Sequence, residues 1–287
     1  MRQINFKKKT EEDILRVAEY PLENGDILPL LHYPLLDETE AVIHGFTTRL
    51  GGVSKGIYAS LNLSFTRGDE REAVLENYRR LAQALSVRED SFCFSNQTHT
   101  TNVKRVGKEE AGTGMGEKAF TDIDGLITDE AGVVLTTFYA DCVPLFFVDK
   151  KHHAIGLSHS GWRGTVNRMG RVTIEAMHRE FGSEPSELVC AIGPSICQDC
   201  YEVSADVAEE FIREFKGKDR EILIDKGKGK YQLDLWRANE IVLKEAGVPK
   251  KQIAVTNICT CCNPDLLFSH RATQGKRGNL AAVLALK

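Results

Sequence analysis

Two histidines and a cysteine interrupt or follow apolar segments of the sequence, and side chains of these types bind metals well. His99 lies in the polar run NQTHTT, Cys142 follows Asp141 in YADCVPLFF, and His159 falls near the end of the apolar run AIGLSHS. Two imidazoles and one thiolate form a zinc ligand set that leaves a fourth position open. Their separation is too long for a local metal motif, however, and Cys142 with His159 also suits a nucleophile and its base. A hydrogen-bonded polar cluster in the core is a third interpretation.

The segments around Cys142 and His159 predict an antiparallel hairpin. Two apolar runs, 143–148 and 154–158, flank the polar turn DKKHH. Pairing about this turn would bring Cys142 close to His159 across the ladder. The carboxylate of Asp141 would then lie near the thiol, where its burial is costly without a hydrogen-bond donor or a cation. We therefore predict that Asp141 orients a ligand or exchanges a proton with a substrate.

Further cysteines form a second group with the ligand type of a structural zinc site. They are Cys197, Cys200, Cys259, Cys261 and Cys262. The first two have C-x-x-C spacing, but we interpret the last three as C-x-C-C, which is not a usual zinc knuckle. A four-thiolate structural site therefore stays open as a non-enzymatic alternative. The remaining cysteines, Cys93 and Cys190, lie in FCF and LVCAIG and are predicted to be core residues.

The composition excludes several classes of protein. The chain has 287 residues, of which 42% are hydrophobic and 27% charged, as is usual for soluble globular enzymes. Its net charge of −4 argues against a nucleic-acid partner. We identify neither a membrane span nor a signal peptide, and with eight cysteines this favours a reduced, cytoplasmic protein. We expect one domain over residues 1–287, as a monomer or a small homo-oligomer.

Strand and helix patterns are mixed irregularly along the chain. Apolar runs predict strands near 41–47, 60–65, 102–106, 133–138, 143–148, 154–158, 188–193, 221–224 and 253–258. Helical periodicity predicts helices over 71–85, over 165–181 ending at Gly182, over 204–215 capped by Ser204, and over 235–246 between Asp234 and Gly247. Because strict βαβ alternation is lacking, the predicted fold class is α+β (mixed α/β), with mixed β-sheets flanked by helices.

A set of motifs around these residues extends over most of the chain from residue 44 onward. They are HGFTTRLGGVSKGIYASLNLS (44–64), NQTHTTNV (96–103), DGLIT (124–128), YADCVPLFFVD (139–149), AIGLSHSGWRGTV (154–166), IGPSI (192–196), CYEV (200–203), LDLWRANEIVL (233–243), CT (259–260) and FSHR (268–271). In these motifs the sequence closely resembles the laccase-domain family, first labelled multicopper polyphenol oxidases and now understood as zinc-dependent purine nucleoside phosphorylases.

The resemblance implies both a metal site and a reaction. His99, Cys142 and His159 match the three zinc ligands of the family. The implied substrates are adenosine, inosine, guanosine and methylthioadenosine, with phosphate as the acceptor of the ribosyl group. Deamination of adenosine by water is implied as a second reaction.

The sequence departs from the family pattern near its C-terminal end. The segment TCCNPDLL adds Cys261 and Cys262 to the matching motif. In FSHR, a histidine precedes Arg271, and Ala272 follows it, which weakens the case for a paired arginine there.

Phosphorolysis requires an anion site, stabilisation of a cationic sugar and a hydrogen bond or proton for the departing purine. Arg49, in the glycine-rich TTRLGGVSKG loop, and Arg163 are predicted phosphate contacts, because a guanidinium presents a planar fork of donors. His44 is predicted either to contact the purine or ribose or to be a hydrogen-bonded residue at a strand end. Asn62 and Arg271 are further candidates for the pocket.

Two other classes of enzyme also use histidine and cysteine side chains, namely multicopper oxidases and cysteine hydrolases. A multicopper oxidase needs about ten histidines, many in His-x-His pairs, whereas this chain has eight histidines and no such pair. Copper bound in vitro at a His/Cys site would give at most weak oxidase activity. The stronger rival is a cysteine hydrolase or amidase acting on an amide such as a cell-wall precursor. It would use Cys142 as nucleophile, His159 as base and Asp141 or another polar residue to orient the base.

Overall fold

Two six-stranded sheets form the centre of the fold in the computed structural model, which describes residues 4–116 and 119–287. In spatial order, the first sheet contains β1 (Arg16–Pro21), β2 (Ile27–His32), β3 (Val42–Thr47), β17 (Leu280–Leu286), β9 (Val134–Tyr139) and β4 (Phe92–Cys93). The second contains β16 (Ile253–Val255), β12 (Val189–Ile192), β10 (Val143–Asp149), β11 (Ala154–Ser160), β8 (Gly125–Thr128) and β6 (Val103–Arg105). Most neighbouring strands are antiparallel, but β4 with β9, β12 with β16 and β6 with β8 are parallel. Both sheets are therefore mixed.

Helices and shorter strands surround these sheets. The helices are α1 (Pro34–Asp37), α2 (Arg71–Leu85), α3 (Trp162–Val166), α4 (Met169–Phe181), α5 (Ala205–Glu214), α6 (Asp219–Ile222), α7 (Leu235–Glu245) and α8 (His270–Thr273). A small antiparallel sheet contains β13 (Glu202–Ser204), β15 (Lys230–Leu233) and β14 (Leu223–Gly227), and β5 (Ser95–Asn96) pairs with β7 (Phe120–Thr121). Within the described residues, every helix is too short or too polar to cross a membrane.

Side chains that alternate along β10 determine how the layers stack. Phe146 and Val148 pack into the cluster between the two sheets, whereas Leu145 and Phe147 point to the opposite face and pack with α4 and α7. On the far side of the first sheet, α2 packs against β2 and β17 through residues such as Tyr78. The order of layers is helix, sheet, sheet, helices, which confirms the predicted α+β fold class.

The hairpin predicted around Cys142 and His159 is present. Strand β10 pairs antiparallel with β11 through a turn at residues 150–153, and Pro144 is opposite His159 in the ladder. Cys142 therefore lies beside the end of β11 that carries His159.

Predictions for several buried and terminal residues are also confirmed. Cys93 and Cys190 are fully buried in the core. Asp234 caps α7 by accepting a hydrogen bond from the N–H of Arg237 at 2.9 Å. Gly247, with φ of 102°, follows the end of this helix, where a left-handed residue is favoured.

The segment 60–65 is irregular, so the strand predicted there is wrong. Asn62 is buried, and its side chain donates to the carbonyl oxygen of Ser64 and accepts from its N–H, both at 3.2 Å. Such local bonds offer the backbone an alternative to a sheet ladder. The strand predicted near 221–224 is displaced. Residues up to Ile222 belong to α6, and the strand begins only at Leu223.

The helix predicted over 165–181 is two helices, α3 and α4. Arg168 lies between them with φ of 62°, in the left-handed region, and its guanidinium binds Glu214 and Glu245 on α5 and α7. These ion pairs tie the break to the neighbouring helices. Ser204 occupies the predicted N-cap position of α5, but its hydroxyl donates to the carboxylate of Asp206 and accepts no capping hydrogen bond from the N–H groups of the first turn.

Candidate active site

A sharp turn between the two sheets presents Cys142. Strand β9 belongs to the first sheet and β10 to the second, so residues 140–142 carry the chain across. Asp141 adopts φ of 92°, which is rare for a residue with a side chain. Its carboxylate accepts hydrogen bonds from the Oγ1 of Thr260 and the N–H of Arg271, each at 2.6 Å. These bonds hold the strained turn in place.

The three predicted ligands converge at this turn. The Sγ of Cys142 is 4.0 Å from the Nε2 of His99, and the rings of His99 and His159 have their centroids 5.0 Å apart. One potential ligand atom from each residue lies within 4.8 Å of the other two. Zinc bonds of about 2.0–2.3 Å to nitrogen and sulfur would require only small movements of these side chains.

Gly161, the first glycine of the SHSGWRG motif, makes this close approach possible. A Cβ atom on Gly161 would be 3.0 Å from the Sγ of Cys142 and 3.1 Å from the Cδ2 of His99. Any larger residue at this position would push two of the three ligands aside.

Asp124 organises both histidines, and the sequence analysis did not identify it as a site residue. Its fully buried carboxylate accepts from the Nδ1 of His159 at 2.8 Å and from the N–H groups of His99 and Thr100 at 3.1 and 2.8 Å. The bond to Nδ1 fixes the imidazole so that its Nε2 is free to bind a metal. The signal in the sequence was an acidic residue at the start of the apolar strand GLIT.

The electrostatic environment favours a thiolate beside a charged imidazole. Burial raises the pKa of the Cys142 thiol, but the imidazoles of His159 and His99 outweigh this effect and lower that pKa to about 6. Burial lowers the pKa of His159, whereas Cys142 and Asp124 raise it to about 9. A thiolate is the form that binds metals or attacks substrates.

A cleft of about 340 Å³ opens over the three ligands. Aromatic residues line one part of it, namely Phe65, Phe94, Phe138 and Tyr139. Polar residues line the rest, namely Ser64, Thr66, Arg67, Ser95, Asn96, Gln97, Arg277 and Asn279. An apolar wall with a few polar groups is typical of a site for a small flat molecule.

Arg67 and Arg277 give this cleft a positive wall that the sequence analysis missed. Burial and the charge of Arg67 lower the pKa of Arg277 to about 10. The Nε of Arg277 is buried without a hydrogen-bond partner among the described residues. Two neighbouring guanidinium groups form a natural anion site. In the sequence both arginines lie beside turn glycines, which gave no sign that the chain brings them together.

Arg49 and Asn62 have structural partners outside the cleft. The guanidinium of Arg49 donates to the carbonyl oxygens of Ala59 and Pro264, both at 2.7 Å, so it braces two loops. The side chain of Asn62 accepts from the N–H of Asn279 at 2.9 Å. Arg49 does not line the cleft as the described residues define it, and Asn62 supports the cleft through a neighbour.

His44, Arg163 and Arg271 also lie outside the cleft as the described residues define it. His44 is buried and accepts from the N–H of Tyr33 at 2.9 Å, so it is hydrogen-bonded as the predicted alternative states, but it lies within β3 and not at a strand end. Arg163 is exposed and stacks over the ring of Trp162. Arg271 is exposed, and its guanidinium donates to two backbone carbonyl oxygens.

Comparison with known proteins tests the resemblance that the motifs suggested. A family model described as multi-copper polyphenol oxidoreductase laccase matches residues 43–287. The chain belongs to this laccase-like family. One laccase-like relative, the purine nucleoside phosphorylase YlmD of Bacillus subtilis, is 36% identical over 248 residues, which are 86% of this chain and 89% of the relative.

Other members of the laccase-like family extend this comparison. An adenosine deaminase from an unknown prokaryotic organism is 34% identical over 232 residues, or 80% of this chain and 88% of the relative. The crystal structure of YlmD from Geobacillus stearothermophilus has a TM-score of 0.87 and 34% identity, and the match covers 96% of this chain and 100% of that one. The resemblance inferred from the motifs is thus confirmed.

Proposed function

We propose that this chain catalyses the phosphorolysis of purine nucleosides at the site formed by His99, Cys142 and His159. The observation that carries the proposal is the position of this ligand set under a cleft that has an aromatic wall and two arginines. Relatives named as purine nucleoside phosphorylases support it. The expected substrates are adenosine, inosine, guanosine and methylthioadenosine, and the expected products are the free base and a ribose 1-phosphate.

The residues present fit a zinc ion. One thiolate and two imidazoles suit a catalytic zinc ion, because three protein ligands would leave a fourth position for phosphate or water. Asp124 supplies the carboxylate behind a histidine ligand that such sites use to fix the ring. When bound, zinc would supply a Lewis acid for an oxygen of phosphate or water.

Residues of the chain perform the remaining tasks of the reaction. Arg67 and Arg277 would bind and orient phosphate oxygens, because guanidinium groups form paired charge-assisted hydrogen bonds. Phe138 and Tyr139 offer apolar surface for the flat purine. Asp141 does not line the cleft as described, so we assign it a positioning role through the turn that carries Cys142.

The same cleft suits deamination of adenosine as a second reaction. Water would take the place of phosphate, attack the purine carbon that carries the amino group and release ammonia. The relative named as an adenosine deaminase supports this proposal.

A product assay with adenosine and phosphate tests both reactions. Phosphorolysis gives adenine and ribose 1-phosphate, whereas deamination gives inosine and ammonia, and chromatography separates these products. We expect both reactions in zinc-loaded protein and neither in His99→Ala. The matched control is His178→Ala, since His178 is an exposed histidine on α4 and should not alter either rate. The proposal fails if zinc-loaded protein forms no purine product from any of the four nucleosides.

A cysteine hydrolase stays the second candidate because of one specific observation. Cys142, His159 and Asp124 lie in the order of a nucleophile, a base and an orienting carboxylate, with Asp124 in the role predicted for Asp141. Alkylation of the metal-loaded protein with iodoacetamide separates the two candidates. Rapid modification of Cys142 with no effect of chelators would favour the hydrolase, whereas modification only after chelation would favour a metal-bound thiolate.

A further inference from the structure

Four cysteines meet at a second place in the fold, where the segment that follows β12 touches the turn that follows β16. Cys197 and Cys200 come from the first segment, and Cys259 and Cys262 from the second. All four Sγ atoms lie within 4.8 Å of one another, and those of Cys200 and Cys262 are 3.5 Å apart. A disulfide needs a separation of about 2.05 Å, so these are four free thiols.

The structure identifies a spacing that the sequence analysis misinterpreted. Because Cys261 is not a member of the group, Cys259 and Cys262 form a C-x-x-C pair and not part of a C-x-C-C motif. The cluster therefore consists of two C-x-x-C pairs separated by a long insertion, which is the usual ligand pattern of a structural zinc site.

The distances also match such a site. Four sulfurs at about 2.3 Å from a tetrahedral zinc ion lie about 3.8 Å from one another. In this chain the sulfurs of Cys200 and Cys262 are 3.5 Å apart and all four lie within 4.8 Å of one another, which is close to that size. Only small side-chain rotations would bring the four thiols into the first coordination sphere of one ion.

The surroundings of the cluster suit a group with excess negative charge. The backbone N–H of Cys197 donates to the Sγ of Cys259 at 3.2 Å. The Nζ of Lys9 binds the carboxylate of Asp199, which lies between the first two cysteines, at 2.8 Å. Zn²⁺ with four thiolates carries a net charge of about −2, and this N–H group would offset part of it, whereas the charge of Lys9 is shared with Asp199.

We propose that Cys197, Cys200, Cys259 and Cys262 bind a structural zinc ion, distinct from the site at His99, Cys142 and His159. Four protein ligands leave no position for a substrate, so this ion would stabilise the fold and not take part in chemistry. The proposal does not depend on the function proposed above, since it concerns a different group of residues and a different property.

The cluster also has a direct connection to the candidate active site. Thr260 lies inside the second C-x-x-C pair, and its hydroxyl donates to the carboxylate of Asp141 at 2.6 Å. Asp141 in turn precedes Cys142 at the strained crossing between the sheets. An ion at the four-cysteine cluster would thus fix the turn from which this hydrogen bond is donated.

Metal content measured by mass spectrometry on protein expressed with added zinc tests the proposal. We expect two zinc ions per chain in the unaltered protein, one in Cys262→Ser, one in His99→Ala and none in the double variant. Cys261→Ser is the matched control, because Cys261 is the adjacent cysteine outside the cluster, and it should keep both ions. A single ion in the unaltered protein that is lost in His99→Ala would overturn the proposal, and so would equal metal loss in Cys261→Ser and Cys262→Ser.

A measurement on protein with all its cluster cysteines covers the case in which Cys262→Ser does not fold. His99→Ala loaded with cobalt should show the intense near-ultraviolet thiolate bands and the visible bands of a tetrahedral four-sulfur site. Intact-mass analysis under non-reducing conditions should find all four thiols reduced. Absence of the cobalt bands, or a disulfide within the cluster, would contradict the proposal, whatever the outcome of the nucleoside assay.

Discussion

The two groups of candidate metal ligands differ in number, in exposure and in what surrounds them. His99, Cys142 and His159 provide three donors beneath a cleft, whereas the four-cysteine cluster provides four donors and lies apart from that cleft. Three donors leave a coordination position for a substrate, and four donors fill a tetrahedron. The comparison teaches that the number of donors and the space above them, and not the presence of a thiolate, separate a catalytic from a structural site.

The largest expected effect comes from exchanging one cysteine in each group. Cys142→Ser should reduce kcat/KM by more than about a hundredfold, the scale on which loss of a transition-state stabiliser is felt, with little change in Tm. Cys262→Ser should lower the free energy of unfolding by about 2–3 kcal/mol, or roughly 4–12 °C in Tm. Phosphorolysis assays and calorimetry on both variants measure this contrast. Equal effects of the two variants on Tm would remove the distinction between an open and a closed site.

Asp124→Asn tests the support of the open site. The amide would lose part of the bonding to the Nδ1 of His159 and to the N–H of His99. Loss of such a partner typically reduces metal affinity or activity by about 10–100-fold. Zinc titration against a chelator of known affinity gives the value. Asp122→Asn is the control, because Asp122 is exposed in the same loop and its carboxylate accepts a hydrogen bond from Thr98 and from neither histidine. Similar losses of zinc affinity in both variants would count against the role of Asp124.

Arg277→Met tests the positive wall of the cleft. Removal of one charge-assisted contact should raise the KM for phosphate about tenfold, which corresponds to about 1.4 kcal/mol. The KM for inosine should change much less, because the purine would lie on the aromatic wall. Steady-state kinetics with phosphate and inosine varied separately distinguish these effects. Arg171→Met is the control, since Arg171 is exposed on α4, pairs with Glu175 and does not line the cleft. An unchanged KM for phosphate in Arg277→Met would exclude this wall as the phosphate site.

The elements that the sequence predicts best are those with a clear period or a clear cap. Helix α2 has the predicted bounds, and the β10–β11 hairpin follows from two apolar runs and a polar turn. Strand β17 was missed because LAAVLAL is buried on both faces and therefore lacks alternation. The strands β1 and β2 were missed as well, since each contains a proline that weakens a strand pattern.

Some residues of the candidate site can be predicted from the sequence, whereas others can be identified only in the folded chain. The types of His99, Cys142 and His159 made them candidate ligands, but their long separation in the sequence left a zinc site, a nucleophile with its base and a polar core cluster as open interpretations. Arg67 and Arg277 are 210 residues apart (277 − 67), and only the folded chain brings them to one wall. Arg49 and His44 were assigned from their type, but their side chains bond to backbone groups from other parts of the chain, and such partners are not visible in a sequence.

Thr260→Val gives the smallest expected effect and tests whether the two groups are connected. The change keeps the shape of the side chain but removes the donor to Asp141, a hydrogen bond of about 0.5–1.5 kcal/mol. We expect kcat/KM to fall about three- to tenfold, with the zinc content unchanged, because the Asp141 turn would hold Cys142 less firmly. Thr39→Val should leave kcat/KM unaltered, because Thr39 is a buried threonine whose hydroxyl bonds to Leu36 and which belongs to neither the cleft nor the cluster. If Thr260→Val left kcat/KM as unaltered as this control does, the Thr260–Asp141 hydrogen bond would not connect the four-cysteine cluster to the rate of the reaction. The cluster would then affect only the stability of the fold.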